Sequence, residues 1–235
     1  MSGLPLVSLP KYTATLPSTK QKVEYRPFTV REEKNLLIAM QEDSQDCMIT
    51  AIKTVISDCT MNKLEVGSLS QVDIEYLFIM IRNKSMGEGV DVEVECSNCG
   101  HKTPMVLDLN KIEIKYPTMK IDPVIQLDSD LWVTVKLPTL EMGFAMNAAK
   151  NYDQVMSILS KCIVSILKGE SSFDCKDQKQ SDIIDWLEKL PREKFDMIDA
   201  FFGNIPKIVL NDAYTCVKCR SENVIQLEGL QSFFD

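Results

Sequence analysis

The chain has 235 residues, 45% of them hydrophobic, enough to fill one large core or two small ones and too apolar for wholesale disorder. A formal net charge of −8 and a pI of about 4.9 argue against a phosphate-neutralising surface, so protein partners are favoured over nucleic acid. No uninterrupted apolar run reaches the ~18 residues of a transmembrane segment, and Met1 to Pro10 lacks the charged start and long apolar stretch of a secretory signal.

The opening alternates as strands do. Lys11–Leu16 and Gln21–Arg26 flank the polar turn Pro17-Ser18-Thr19-Lys20, which predicts a β-hairpin. Thr29 and Glu32 then form a capping box, in which hydroxyl and carboxylate satisfy free N–H groups at a helix start. That helix runs to about Met40, with Leu36, Leu37 and Met40 as its apolar stripe and Arg31, Glu33 and Lys34 on its exposed face. A second helix spans about Ser44 to Cys59, with Met48, Ile52, Val55 and Ile56 at helical spacing. After a loop over Asn62–Leu69, Ser70 and Asp73 cap a third helix to about Lys84. It is apolar nearly all round, as a buried central helix is.

Val90–Glu95 alternates strictly, leads into a Cys-x-x-Cys turn and returns as Thr103–Leu109. Further strands are expected at Lys120–Leu127 and Leu131–Leu137. Helices follow at Thr139–Lys150, Tyr152–Lys168 and Ser181–Leu190. Pro191 suits the first turn of a last helix, Arg192–Phe202, because it lacks a donor that would be unpaired there. Lys207–Thr215 then runs into a second Cys-x-x-Cys turn and Asn223–Phe234 comes back out. Phe233 and Phe234 call for burial, in this chain or in a neighbour.

Four of the eight cysteines make up the two pairs, Cys96 with Cys99 and Cys216 with Cys219. Two residues between cysteines let a tight turn aim both sulfurs at one point, and two such turns supply the tetrahedron that Zn2+ favours. A single structural zinc shared by all four is the expectation. Surface dithiols, or a site completed by another chain, are the alternatives. Between the pairs lie 116 residues, 100 to 215. Closing such a loop costs roughly 4 kcal/mol, against about 10–16 kcal/mol of apparent binding free energy for a structural zinc. Gly100 follows the first pair and Arg220 the second, so the second turn is the less standard half. Cys47, Cys59 and Cys162 fall among apolar helix positions as small core fillers, whereas Cys175 sits in a polar stretch. Unpaired thiols with metal knuckles indicate a reducing cytoplasm.

Catalytic machinery is not visible. His101 is the single histidine, no phosphate loop or dinucleotide fingerprint is present, and acidic pairs such as Glu32-Glu33 fall on exposed helix faces. Neither cysteine pair opens a helix, as thioredoxin-like chemistry requires. No enzyme and no small-molecule substrate are expected. The expected fold class is α+β: helical blocks combined with an N-terminal β-hairpin and a split zinc-ribbon β element.

The hairpin with Leu16-Pro17-Ser18-Thr19, the stretch Tyr25-Arg26-Pro27-Phe28-Thr29-Val30-Arg31-Glu32-Glu33-Lys34, the two knuckles and the closing Glu228-Gly229-Leu230-Gln231-Ser232-Phe233-Phe234 together resemble the baseplate hub proteins of T-even-like contractile-tailed bacteriophages. The likeness covers nearly the whole chain. It implies one hub-like unit: residues 1–28 as arm and hairpin, 29–88 as a helical block, 89–138 with 205–235 as the split ribbon, and 139–204 as a second helical block. It also implies a non-enzymatic viral structural or assembly protein, with other baseplate or hub proteins as partners. Its place would be the virion tail baseplate, the host cytoplasm during assembly, or both, so a resident subunit and a departing chaperone both satisfy it. The four knuckle cysteines carry over as metal ligands. The competing class is a zinc-ribbon nucleic-acid-binding accessory protein.

Overall fold

The computed structural model describes residues 7–42, 44–117 and 122–228. The expected hairpin is present, with β1 (Tyr12–Thr15) antiparallel to β2 (Lys22–Tyr25) and Ala14 opposite Val23. Alternation sends Ala14, Val23 and Tyr25 inward and leaves Thr13, Thr15, Lys22 and Glu24 in solvent. The Thr29 capping box opens α1 (Val30–Gln41), and Glu32, itself buried, also accepts from Arg26 Nη2 at 2.8 Å. Ser44 caps α2 (Gln45–Cys59), which buries Ile49, Ile52, Val55 and Ile56. Ser70 caps α3 (Gln71–Met86), whose Ile74, Leu77 and Ile81 are wholly inaccessible. The buried Asp73 of α3 accepts from the Ser18 backbone N–H at 2.9 Å, from the Ser18 hydroxyl, and from the Ser70 hydroxyl at 2.6 Å. One carboxylate thus ties the hairpin turn to the start of the central helix.

Next come β3 (Gly89–Glu95) and β4 (Lys102–Asp108), an antiparallel pair, and after a 3-10 turn the short strand β5 (Ile112–Lys115). The chain then enters a second compact unit, residues 116–206. There β6 (Val124–Asp128), β7 (Leu131–Val135), β8 (Ile163–Lys168) and β9 (Ser171–Asp174) form an antiparallel sheet in that order. Its helices are α4 (Leu140–Ala148), α5 (Tyr152–Cys162), α6 (Gln180–Glu188) and α7 (Arg192–Gly203). Its core gathers Val133, Met156, Leu187, Ile198 and Cys175. Returning to the first unit, β10 (Lys207–Thr215) pairs with both β5 and β11 (Glu222–Glu228). Among the described residues, seven α-helices with several small antiparallel sheets make the fold α+β, as expected.

Several expectations are corrected. The helix expected over Tyr152–Lys168 stops at Cys162, and Ile163–Lys168 is strand. A β-bulge misled the periodicity. Val133 pairs with Ile166 and Val135 with Ile163, so three residues of β8 oppose two of β7 and imitate helical spacing. Strands β5 and β9 were not anticipated, both being only four residues long. Part of the strand expected from Lys120 and the aromatic pair Phe233-Phe234 lie outside the described residues. Cys59 and Cys162 are core fillers, and burial pushes their thiols up to about 12 and about 11. Cys47, expected to match them, is only half-buried, while Cys175 is buried.

Candidate metal centre

The two cysteine turns are the same structure built twice. In the first, Cys96 N donates to His101 O at 3.0 Å and Gly100 N to Cys96 O at 2.9 Å. In the second, Cys216 N donates to Ser221 O and Arg220 N to Cys216 O, both at 2.9 Å. Each turn continues an antiparallel ladder, after the Glu95–Lys102 pair on one side and Thr215–Glu222 on the other. Both need a left-handed residue in fifth place, Gly100 at φ 65° and Arg220 at φ 59°. Arg220 therefore reproduces the glycine turn, with the steric cost that a Cβ carries there.

The four sulfurs converge, all within 4.8 Å of one another. Cys96 Sγ lies 3.6 Å from Cys219 Sγ, and Cys99 Sγ 3.7 Å from Cys216 Sγ. A tetrahedron with ~2.3 Å metal–sulfur bonds has edges of about 3.8 Å, so the cluster is at metal-binding distance. Cys96 and Cys216 are buried, Cys99 and Cys219 half-buried.

Polar neighbours favour charge on some of these sulfurs and not others. The Ser221 hydroxyl, 3.2 Å from Cys96 Sγ and 3.0 Å from Cys219 Sγ, leads the causes that bring Cys96 down to about 5 and Cys219 to about 7. At Cys99 the bond from the His101 backbone N–H favours the thiolate. Burial and the sulfurs of Cys219, Cys216 and Cys96 outweigh it and push the thiol up to about 12. Four sulfurs this close resist ionising together unless a cation balances them.

Asn223 joins the halves. Its Oδ1 accepts from Ser97 N at 3.1 Å and from the Ser97 hydroxyl at 2.8 Å, while Nδ2 donates to Ser221 O at 3.0 Å and faces Cys96 Sγ at 3.5 Å. The sequence reading did not single out Asn223 or Ser221. A signal existed for Asn223, which occupies an inward position of β11 shared with Ile225 and Leu227, where alternation calls for an apolar residue. The half-buried His101 contributes its backbone.

The long separation of the pairs is bridged before the cysteines meet. Lys115 of β5 stands opposite Lys207 of β10, so the ladder closes the excursion through residues 116–206. Among the described residues no helix is long and apolar enough to cross a membrane. Neither a curated protein nor a solved structure matches the chain. A family model does, over residues 9–235, and by that match the chain belongs to the T4 bacteriophage base plate protein family.

Proposed function

We propose that Cys96, Cys99, Cys216 and Cys219 hold one structural Zn2+, making the paired hairpins a split zinc ribbon, and that the chain serves the baseplate hub as a rigid, non-catalytic scaffold working through protein contacts. Family membership already puts it among the structural proteins of the phage tail baseplate, alongside other baseplate proteins. The observation that carries the zinc reading is the sulfur tetrahedron, with its 3.6 and 3.7 Å edges. Thiolate sulfur is the donor that zinc takes in closed structural sites. Backbone N–H groups of Asn98, Cys99, His101 and Ser221 already point at the sulfurs, as the outer shell of such a site does. With β5 and β10 paired, the metal need only fix the two turns relative to each other.

Elemental analysis of protein purified without chelators tests the site. One zinc per chain is expected, lost in Cys216→Ser/Cys219→Ser. Protein free of bound transition metal would sink the zinc reading. Quantitative mass spectrometry of purified virions and of baseplate assembly intermediates tests the role. A fixed ratio to other baseplate proteins is expected in at least one of them, and absence from both would remove the hub assignment.

A further inference from the structure

Helix α1 buries little of itself. Glu32 and Ala39 are its buried residues, whereas Val30, Leu37, Ile38 and Met40 are 80, 53, 44 and 50% exposed. On one side, Leu36, Leu37 and Met40 continue across Phe28, Met48 and Met86 into an apolar groove of about 230 Å3. Contiguous apolar surface of this kind marks interaction sites in soluble proteins, and methionines let a lining re-pack around what enters it. The groove walls come largely from α1, α2 and α3, whose mid-helix backbone groups are bonded within the helices. Where β3 joins the wall at Val90, Arg82 already takes the neighbouring carbonyls Gly87 O and Gly89 O at 2.9 and 3.1 Å. An extended strand finds little to pair with over most of the groove, whereas a helix arrives with its own backbone satisfied.

The other side of α1 supplies a charge. Ile38 and Ala39 border a shallow hollow that also contains Glu42 and Asp46. The last turn of α1 has no basic residue, so the negative end of the helix dipole adds to the two carboxylates. Glu42 accepts from the Cys47 thiol, and no described cation pairs with either acid. Lys34, two turns back on α1, is about 12 Å away along the axis, and Arg31 is farther still.

Resting on the reading that this chain works through protein contacts, we propose that α1 is a docking ridge for an amphipathic helix of another baseplate protein. That helix crosses α1, its apolar stripe running from the groove over the exposed Leu37 and Ile38, and a Lys or Arg at its far end meets Glu42 and Asp46.

The test is site-specific photocrosslinking in infected cells, with Leu37→p-benzoylphenylalanine in the full chain and Val224→p-benzoylphenylalanine as an exposed control. Baseplate intermediates are then isolated and the crosslinked peptide sequenced. The expected product joins position 37 to a segment of another baseplate protein with apolar residues at three- and four-residue spacing and a Lys or Arg at one end. Its yield should fall at least tenfold on adding E42K/D46K. A crosslink to this chain's own residues or to a second copy overturns the proposal, as do no crosslink at position 37 and a yield unchanged by charge reversal. Presence of the chain in intermediates without a crosslink overturns α1 alone. Absence of the chain from intermediates and from virions alike overturns the hub reading as well.

Discussion

Asn223 binds Ser97 twice, accepting from its backbone N–H and from its hydroxyl, so the strand leaving the second knuckle grips the turn of the first. Removing that grip strands a donor. Asn223→Leu keeps the branching of the side chain but leaves Ser97 N–H without its acceptor, and a loss of about 1–3 kcal/mol in denaturant unfolding is expected. Zinc retention, followed by chelator competition, should weaken by about 10–100-fold, the usual cost of a lost outer-shell partner. Asn223→Asp, which keeps the acceptor, should recover part of both.

Arg220 occupies a left-handed backbone position that Gly100 fills in the sister turn. Arg220→Gly should raise the thermal midpoint, with a gain of about 0.5–1 kcal/mol after the added freedom of the unfolded chain is subtracted. Gly100→Ala should lower stability by about 1 kcal/mol or more. A melting series on the two variants checks both signs, and opposite shifts are required.

Burial works against the Glu32 charge, but bonds from Arg26 and from the Thr29 hydroxyl and N–H outweigh it and hold the carboxyl down at about 2. With the folded value depressed, the stabilisation is complete above the ordinary value near 4.5 and is lost as pH falls through about 2. Unfolding curves between pH 5 and pH 2 should therefore show a decline that Glu32→Gln flattens. Thr29→Ala should cost about 1 kcal/mol at neutral pH through the lost helix cap.

The register of β5 against β10, with Lys115 opposite Lys207, should allow residues 116–206 to be removed. Joining Lys115 to Lys207 through Asn-Gly creates a two-residue hairpin of the kind that antiparallel strands prefer. The shortened chain should retain the β10–β11 and β3–β4 ladders and one zinc, read by circular dichroism and metal analysis. An unfolded product would mean that the first unit depends on residues 116–206.

The sequence was most legible where local chemistry and periodicity agree. Thr29 with Glu32 and Ser70 with Asp73 announced two helix starts, because capping is a local hydrogen-bond pattern, and periodicity alone put the start of α2 at about Ser44, its N-cap. The strand before the first cysteine turn was equally plain, since Val90–Glu95 alternates without interruption, whereas β10 alternates only after the buried run Ile208–Leu210. Legibility failed where pairing decides. Val164 is the extra residue of a bulge that only its partner β7 defines, and β5 exists because β10 lies beside it. In the centre, the cysteines were visible from spacing, but Asn223 acts across a long interval that no local pattern spans. The stripe Leu36, Leu37 and Met40 was correctly seen as apolar. Its exposure followed from what packs against α1, which periodicity does not contain.

Cysteines 96 and 99 leave the ribosome well over a hundred residues ahead of 216 and 219. At ~5–20 residues per second the first thiol pair waits roughly 6–24 s for its counterpart. Throughout that interval β3 and β4 can pair, and residues 116–206 are all translated before β10 and β11 can complete the first unit. Synthesis therefore runs from residues 1–115 through the inserted segment 116–206 to the closing strands, and the sulfur cluster can be completed only after Cys219 has emerged.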